Sequence, residues 1–275
     1  MARFHSIRLG QRVEEFVVTG GRELVLSGIN LGRWGCDLDD AQSRRGGLSW
    51  LVQQILHQTR LERLRLSSIE PMDWTSELIA TMAASRRVAP HAHLPLQSGA
   101  DGVLRRMRRR YRPWHYAEKA NALQTACGDE LALGADVMVG FPGETDVEFE
   151  ESLQFVRSLP LAYLHLFPFS PRPGTAGWAM HREQPVRDAV VKERMAQMQA
   201  VDREKRAAFR AQMRGRRLSA LTLHTSEKLR VKGWTLALTE NFLEVELDCR
   251  LPANEPVTVC PGDERTAKLE RLVKS

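Results

Sequence analysis

Short segments rich in glycine, proline and small polar residues follow several apolar runs of the chain. The clearest is the segment 140–144 (GFPGE), which comes directly after the apolar run 133–139. Glycines let a backbone approach a ligand closely, and an acidic residue suits the first turn of a helix. Such a loop can bind an adenine or a ribose through backbone groups. A tight turn that needs glycine and proline for geometry alone is an equally good interpretation.

Small hydroxyl and amide side chains stand at the ends of three further apolar runs, where a polar small molecule could collect hydrogen bonds. They are Ser27 and Asn30 around Gly28, then Ser67 and Ser68, then Gln97 and Ser98. Each of them taken singly is explained better as a helix cap or a turn residue. Four polar strand ends that converge on one edge of a sheet favour a ligand site.

The densest positive run of the sequence lies just after the third of these ends, and three aromatic residues follow it at 114–116. Its cations are Arg105, Arg106, Arg108, Arg109, Arg110 and Arg112. Arginines beside aromatic residues are typical of surfaces that contact phosphates and stack on bases. A solvated helix face explains the same run equally well.

Histidines and cysteines give weaker indications of a metal site. His91 and His93 are two residues apart and therefore lie on the same face of a strand, but no third ligand follows at a suitable spacing, which favours a packing role. Cys36, Cys127, Cys249 and Cys260 stand far apart. Their spacing matches no zinc or redox motif and no disulfide framework, so we expect reduced, mostly structural thiols.

Composition allows a large domain with a smaller one attached. The chain has 275 residues, is 43% hydrophobic, and carries 40 Lys+Arg against 34 Asp+Glu. The positive excess makes a polyanionic partner plausible without requiring one. No stretch approaches the length and apolarity of a membrane span or a signal peptide, so we expect a cytoplasmic protein.

Strands alternate with helices over residues 1–214, which predicts an α/β fold with a parallel sheet, either an open doubly wound sheet or a partial barrel. Ligands bind at the carboxyl ends of the strands in both architectures. Asp73 is expected to cap one of the helices, and a long polar helix is predicted over 186–213. Four short β-rich runs in 215–275 then predict a small all-β module with the size of a five-stranded barrel.

Together these segments resemble the radical S-adenosylmethionine tRNA methylthiotransferases, most closely the branch that acts on threonylcarbamoyladenosine. The shared phrases are 23–32 (ELVLSGINLG), 65–71 (RLSSIEP), 93–99 (HLPLQSG), 140–145 (GFPGET) and 167–175 (FPFSPRPGT). The likeness extends from about residue 6 almost to the end of the chain. It implies a radical SAM (β/α) barrel over 1–214 and a TRAM-like RNA-binding β-barrel over 215–275.

The resemblance also implies a site and a reaction. The family's S-adenosylmethionine pocket falls on Ser27, Gly28, Asn30, Ser67, Ser68, Gln97, Gly140, Phe141, Pro142, Gly143 and Glu144. In the family, S-adenosylmethionine is cleaved reductively to a 5′-deoxyadenosyl radical, which abstracts hydrogen from C2 of a modified adenine beside the anticodon. A methylthio group is then inserted at that carbon. The expected cofactors are S-adenosylmethionine and a 4Fe–4S cluster, and the expected partner is tRNA.

This sequence departs from the family in its cysteines. Family members hold the cluster with Cys-x-x-x-Cys-x-x-Cys after the first barrel strand, and no such motif is present here. We therefore expect an N-terminally truncated barrel that lacks its first strand, leaves a sheet edge unpaired near residues 23–27, and is inactive by itself. The alternatives are a tRNA-binding protein without chemistry and, resting on the segment 140–144 alone, an unrelated phosphate-binding β/α enzyme.

Overall fold

Five parallel strands form the larger part of the structure, a computed structural model that describes residues 2–36 and 41–272. They are β1 (Glu23–Leu26), β2 (Arg63–Leu66), β3 (His91–Gln97), β4 (Ala132–Val139) and β5 (Tyr163–Pro168). β1 pairs with β2, and β3 pairs with β4, which pairs with β5. Bridges from Leu64 to Val88 and from Ser68 to His93 join β2 to the β3 side. The strands therefore pair in parallel, as the alternating pattern predicts, and lie side by side in sequence order.

Helices precede, connect and follow the parallel strands, and most of them pack on one face of the sheet. They are α1 (Ala2–Val18), α2 (Ala41–Gln58), α3 (Ser76–Ala84), α4 (Asp101–Arg106), α5 (Pro113–Cys127), α6 (Asp146–Ser158), α7 (Ala176–Glu183) and α8 (Asp188–Met213). None of the described helices combines the length and the apolarity that crossing a bilayer requires. The long helix α8 begins two residues later than the sequence predicts and ends at the predicted residue.

Alternation along each strand separates an apolar face from a polar one. On β3, Ala92, Leu94 and Leu96 belong to the main hydrophobic core beneath the helices. His91 and His93 alternate with them and belong to the opposite face, which we call the inner face. The core thus fixes the strands from one side and leaves a row of polar side chains on the other.

Helix caps show where local sequence sufficed and where it did not. Thr145 and Glu148 form a reciprocal capping box at the start of α6, a typical local signal for a helix start. The predicted cap of α3 is wrong, because Asp73 ends a short 3-10 turn and Thr75 caps the helix instead, accepting a hydrogen bond from Leu78 N at 3.1 Å. Threonine two residues later fits the same capping rule.

A five-stranded antiparallel sheet follows α8. Its strands are β6 (Leu218–Thr222), β7 (Thr235–Thr239), β8 (Glu244–Leu247), β9 (Pro256–Pro261) and β10 (Ala267–Leu272), and the short helix α9 (Glu227–Val231) lies between β6 and β7. The spatial order is β10-β9-β6-β7-β8, and a bridge from Glu246 to Thr266 joins its two outer strands. The sheet therefore curls back on itself. The sequence indicates four of these strands and misses β10.

The antiparallel sheet packs against the amino ends of the parallel strands. Its hydrophobic core continues through Phe209 and Met213 of α8 to Tyr163 of β5. The turn between β7 and β8 places Phe242 against His91, with 4.3 Å between ring centroids. This contact covers the amino end of the inner face and leaves the carboxyl ends of the strands as the open side, which we call the mouth.

Candidate functional site

Three adjoining cavities run across the mouth. The first, of 690 Å³, lies along the loop after β1 and is lined by Ser27, Gly28, Asn30, Arg33, Trp34 and Cys36, among others. The second, of 290 Å³, shares Asn30 and Arg33 with it and extends to Glu70, Asp73 and Arg108–Tyr111. The third, of 270 Å³, shares Arg108 and Arg109 with the second and reaches Gln97, Phe141 and Met180. We call the three together the mouth groove.

The loop after β1 presents its polar groups to solvent. Ser27, Gly28 and Asn30 are all exposed, and Asn30 has a left-handed backbone with φ of 53° before a short 3-10 turn. A Cβ added at Gly28 would meet no atom within 4 Å. These residues therefore lie where a ligand in the first cavity would touch them.

The two serines after β2 separate. Ser67 continues the pairing of β2 by donating its backbone N–H to Leu26 O at 3.0 Å. Ser68 lies with its Oγ 3.1 Å from His93 Nδ1. Its hydroxyl is thereby engaged with the inner face, and Ser68 is a neighbour of His93 more than a lining residue of the groove.

Gln97 reaches the third cavity because the end of β3 is irregular. The register of β3 against β4 shifts between Pro95 and Gln97, and Gln97 has a left-handed backbone with φ of 67°. Bulges of this kind redirect side chains and are frequent beside functional sites. Gln97 is buried and lies in the same cavity as Phe141. Its backbone conformation is not predictable from the residue type.

The segment 140–144 is braced from beneath. The Glu144 carboxylate accepts hydrogen bonds from Gly140 N and from the Arg194 guanidinium, each at 2.9 Å. Burial raises the pKa of Glu144, and these two donors act against that rise. Glu144 therefore holds the loop in shape, and Phe141 is the member of the segment that lines the third cavity. Pro142 is buried and Gly143 is half-buried behind it.

The arginine run divides into paired and free side chains. Arg105 and Arg112 both contact Asp101, at 2.8 and 3.3 Å. Arg106 bonds Glu148 with two 2.8 Å hydrogen bonds, which lower the pKa of that glutamate.

The rest of the run lies over the groove. Arg109 pairs with Glu70 at 3.0 Å. Arg108 and Arg110 are exposed, line the second cavity, and form no ion pair with any residue in the described part of the chain. The phosphate-binding capacity of the run therefore concentrates on Arg108 and Arg110.

The four cysteines do not suit a 4Fe–4S cluster. Cys36 lies at the mouth, Cys127 ends α5, and Cys249 and Cys260 belong to the antiparallel part of the chain. In residues 2–36 and 41–272, no three thiols come together as ligands. A cluster of that type needs three or four converging thiolates. We therefore do not assign the binding of a 4Fe–4S cluster to the cysteines of this chain.

The inner face below the mouth holds a group that sequence reasoning missed. His93, Asp136 and His165 come from three neighbouring strands, and their ligand atoms all lie within 4.8 Å of one another. The sequence shows His93 without a third ligand because Asp136 and His165 are distant along the chain. The available signal was one charged or imidazole side chain inside an otherwise apolar run, Asp136 in 133–139 and His165 in 162–167. His91, by contrast, has a packing role, with its Nε2 2.8 Å from Tyr163 Oη.

Comparison with known proteins shows that the residues around the mouth belong to a range shared with a large family. The family model described as the radical SAM superfamily matches residues 5–156, which include β1 to β4 and most of α6. Every residue of the predicted cofactor pocket lies inside that range.

Two relatives from different branches match at similar identity. The tRNA-2-methylthio-N(6)-dimethylallyladenosine synthase of Erythrobacter litoralis is 36% identical over 78% of this chain and 47% of its own length. The threonylcarbamoyladenosine tRNA methylthiotransferase MtaB of Treponema pallidum is 35% identical over 86% of this chain and 45% of its own length. The chain thus spans about half the length of the curated relatives it matches.

Among solved structures, coproporphyrinogen III oxidase (HemN) of Escherichia coli aligns over 93% of this chain and 56% of its own length. The alignment has a TM-score of 0.49 at 14% identity. A similarity of that size indicates no function.

Proposed function

The chain belongs to the radical SAM superfamily, and we propose that it binds S-adenosylmethionine in the mouth groove and serves in the modification of tRNA. The observation that carries the proposal is the mouth groove, to which the loops after β1 and β3 and the segment 140–144 all contribute within the matched range. The two relatives named above, both tRNA-modifying by name, support the choice of substrate class.

Both ends of the groove offer groups that suit parts of the cofactor. Asn30 and Ser27 offer amide and hydroxyl groups beside the open backbone at Gly28. Gln97 offers an amide at the far end of the groove, next to the Phe141 ring. An adenine can stack on such a ring, and the amides can orient the ribose and the amino acid group. Bound S-adenosylmethionine would supply a sulfonium group and an adenosyl group to this site.

The finer proposal is methylthiolation at C2 of N6-threonylcarbamoyladenosine next to the anticodon. It follows the sequence resemblance, with the MtaB proteins of Treponema pallidum and Bacillus subtilis at 35% and 32% identity in support. Catalysis by that route requires a 4Fe–4S cluster, and the separated cysteines of this chain do not provide one. We therefore propose that this chain binds cofactor and tRNA and forms no 5′-deoxyadenosine by itself.

We further propose two domains, a radical SAM barrel over 1–214 and a TRAM-like RNA-binding barrel over 215–275. The curled antiparallel sheet supports the second. It carries a 400 Å³ cavity whose lining residues include His224, Arg230, Trp234 and Arg250. Neither arginine forms an ion pair with a described residue, so both cations are available to phosphates while the indole offers a stacking surface.

A second candidate function is tRNA binding without chemistry. The observation in its favour is the separation of the thiols, combined with the free cations Arg108 and Arg110 at the mouth. Under this alternative the groove would hold part of the RNA and no S-adenosylmethionine.

Binding measurements on the full chain test both candidates. We expect radiolabelled S-adenosylmethionine to bind in equilibrium dialysis, and Gln97→Ala and Asn30→Gly to weaken it about tenfold each, the effect of about one lost hydrogen bond to a charged group. Asn30→Gly keeps the left-handed backbone and removes the amide. Gln154→Ala, an exposed amide on α6, is the control and should bind like the wild type.

Nucleoside analysis of tRNA from a strain without the gene gives the second readout. Loss of 2-methylthio-N6-threonylcarbamoyladenosine, together with cofactor binding, supports the proposed function. Binding of tRNA with no cofactor binding and unchanged nucleosides would establish the second candidate. Loss of the dimethylallyl nucleoside instead would replace the proposed substrate.

A further inference from the structure

Three polar side chains on the inner face point at one another from neighbouring strands. His93 Nε2 lies 3.2 Å from Asp136 Oδ1, and His165 Nδ1 lies 3.5 Å from the same oxygen. Asp136 and His165 are register partners in the β4–β5 pair, while His93 belongs to β3 on the other side. We call His93, Asp136 and His165 the inner-face triad.

The spacing of the triad is that of metal ligands. Ligand atoms about 2.1 Å from a tetrahedral ion stand about 3.4 Å apart, which the two measured separations of 3.2 and 3.5 Å approach. Two imidazoles and one carboxylate are a common ligand set for zinc and for ferrous iron with open coordination positions. Among the described residues, these three side chains form a group of His, Cys, Asp or Glu residues whose ligand atoms are close enough together to hold one metal ion.

His93 supplies an independent observation. Its side chain is buried, with 7% of the residue exposed, yet Nε2 forms no hydrogen bond, since its approach to Asp136 lacks the necessary alignment. A buried ring nitrogen without a partner is costly unless something else satisfies it. A cation between Nε2 and the carboxylate would do so.

The other nitrogen of His93 is already held in place. Nδ1 lies 3.1 Å from Ser68 Oγ, which fixes the ring orientation. Metal-binding histidines regularly have their second nitrogen hydrogen-bonded in this way, and such partners set ligand tautomer and affinity. Ser68 is therefore a positioning residue for the triad.

One side of the triad is open. The His165 side chain is 54% exposed. It lines an 860 Å³ cavity between β5, α8 and the β7–β8 turn, with Arg206 and Phe242 on its walls. An ion on the triad could enter from this cavity and keep water or an anionic ligand in its remaining positions. None of the three residues lines the mouth groove, so the site is separate from the proposed cofactor pocket.

We propose that the inner-face triad binds one divalent transition-metal ion, zinc or ferrous iron, through His93 Nε2, His165 Nδ1 and an Asp136 oxygen. The inference concerns the chain's own side chains and does not depend on cofactor or tRNA binding. It gives His93 a role other than the packing role that the sequence favours.

Cobalt binding tests the proposal, because the absorption spectrum of bound Co²⁺ shows both how many ions bind and which ligands hold them. The full chain, without a histidine tag and treated with chelator, should bind one Co²⁺ with visible d–d absorption and without the near-ultraviolet thiolate band that cysteine ligands produce. We expect His165→Ala and Asp136→Asn to weaken binding at least a hundredfold. Ser68→Ala should weaken it about tenfold or more, as outer partners of metal ligands do.

Matched controls separate the site from other histidines and from misfolding. His57→Ala, at an exposed position on α2, should bind Co²⁺ like the wild type. His165 is the preferred ligand to remove because it is half exposed, and circular dichroism will show whether the variant is folded. Thiolate bands, absence of binding to the wild type, or full binding by folded His165→Ala and Asp136→Asn would each overturn the proposal. Zinc competition against Co²⁺ should show a single displacement step.

Discussion

The two ends of the parallel strands differ in how far the chain satisfies its own polar groups. At the amino end, Glu23 is shared by Arg63 and Arg65 at 3.0 and 2.6 Å, and Arg65 continues to the carbonyl oxygens of Thr239 and Glu240. All of these contacts are buried or half-buried. At β1 and β2 the antiparallel sheet thus satisfies the polar groups of this end.

At the mouth the same strands end in groups that the protein leaves open. Asn30 is exposed, Gln97 faces a cavity, and Arg108 and Arg110 form no ion pair with a described residue. Left-handed backbones recur here, at Asn30, Gln97 and Arg108. A left-handed backbone at a residue other than glycine costs free energy, and it persists where the surrounding structure enforces it, often at functional sites. The comparison teaches that strand ends keep polar groups available to a ligand where no other element of the chain covers them.

Removing Arg65 should destabilise the amino end of the parallel strands, which we call the closed end. We expect Arg65→Ala to lower the free energy of unfolding by about 3 kcal/mol, because loss of one partner leaves a buried charge uncompensated; the contact from Arg63 to Glu23 keeps the loss at the low end of the usual range. Arg60→Ala, which removes an exposed pair with Glu14, should cost about 0–1 kcal/mol. Denaturant unfolding measures both. Equal losses would show that the closed end is not held by its ion pairs.

Glycine substitutions should distinguish the braced loop of the mouth from the open one. A Cβ at Gly140 would lie 2.6 Å from Val191 Cγ2 at a φ of 77°, so Gly140→Ala should destabilise by about 1–3 kcal/mol. Adding Val191→Ala should recover the part due to the clash. Gly28→Ala meets no atom and should leave thermal unfolding unchanged or slightly raised. A large loss at Gly28 would contradict its placement in open space.

Sequence reasoning succeeded where structure is set locally. The alternation of parallel strands with helices, the end of α8 at Met213 and four of the five antiparallel strands follow from residue periodicity and turn residues. It could not show that Glu144 turns back to Arg194, fifty positions away, because that contact depends on the packing of α8. The inner-face triad was missed for the same reason, since the register of β4 with β5 brings Asp136 to His165. The cofactor role of the predicted pocket and the RNA role of the arginine run stay predictions.

Free and paired arginines should differ in their effect on RNA. We expect Arg108→Ala with Arg110→Ala to weaken tRNA binding about tenfold and to reduce the salt slope by about 1.4–1.8, the value for two phosphate contacts. Arg105→Ala, which removes an arginine already paired with Asp101, is the matched control and should change the slope little. Fluorescence anisotropy over a salt series measures both. An unchanged slope in the double variant would make the run a solvated face.

The smallest expected effect concerns the doubly hydrogen-bonded ion pair between Arg106 and Glu148. Two hydrogen bonds from Arg106 hold the pKa of Glu148 below its ordinary value, so the stability that the pair adds is present above the unfolded pKa of about 4.3 and is lost as the pH falls through the lower folded pKa. Arg106→Ala should therefore cost about 0.5–1 kcal/mol near neutral pH, and this difference should shrink by about pH 3. Urea unfolding of both proteins at the two pH values measures it. A difference that is the same at both would mean that Arg106 acts through its 3.3 Å contact with Gly143 O, bracing the loop and not pairing its charge. In that case the mouth would share the closed end's mode of stabilisation, in which arginines hold backbone carbonyls across elements.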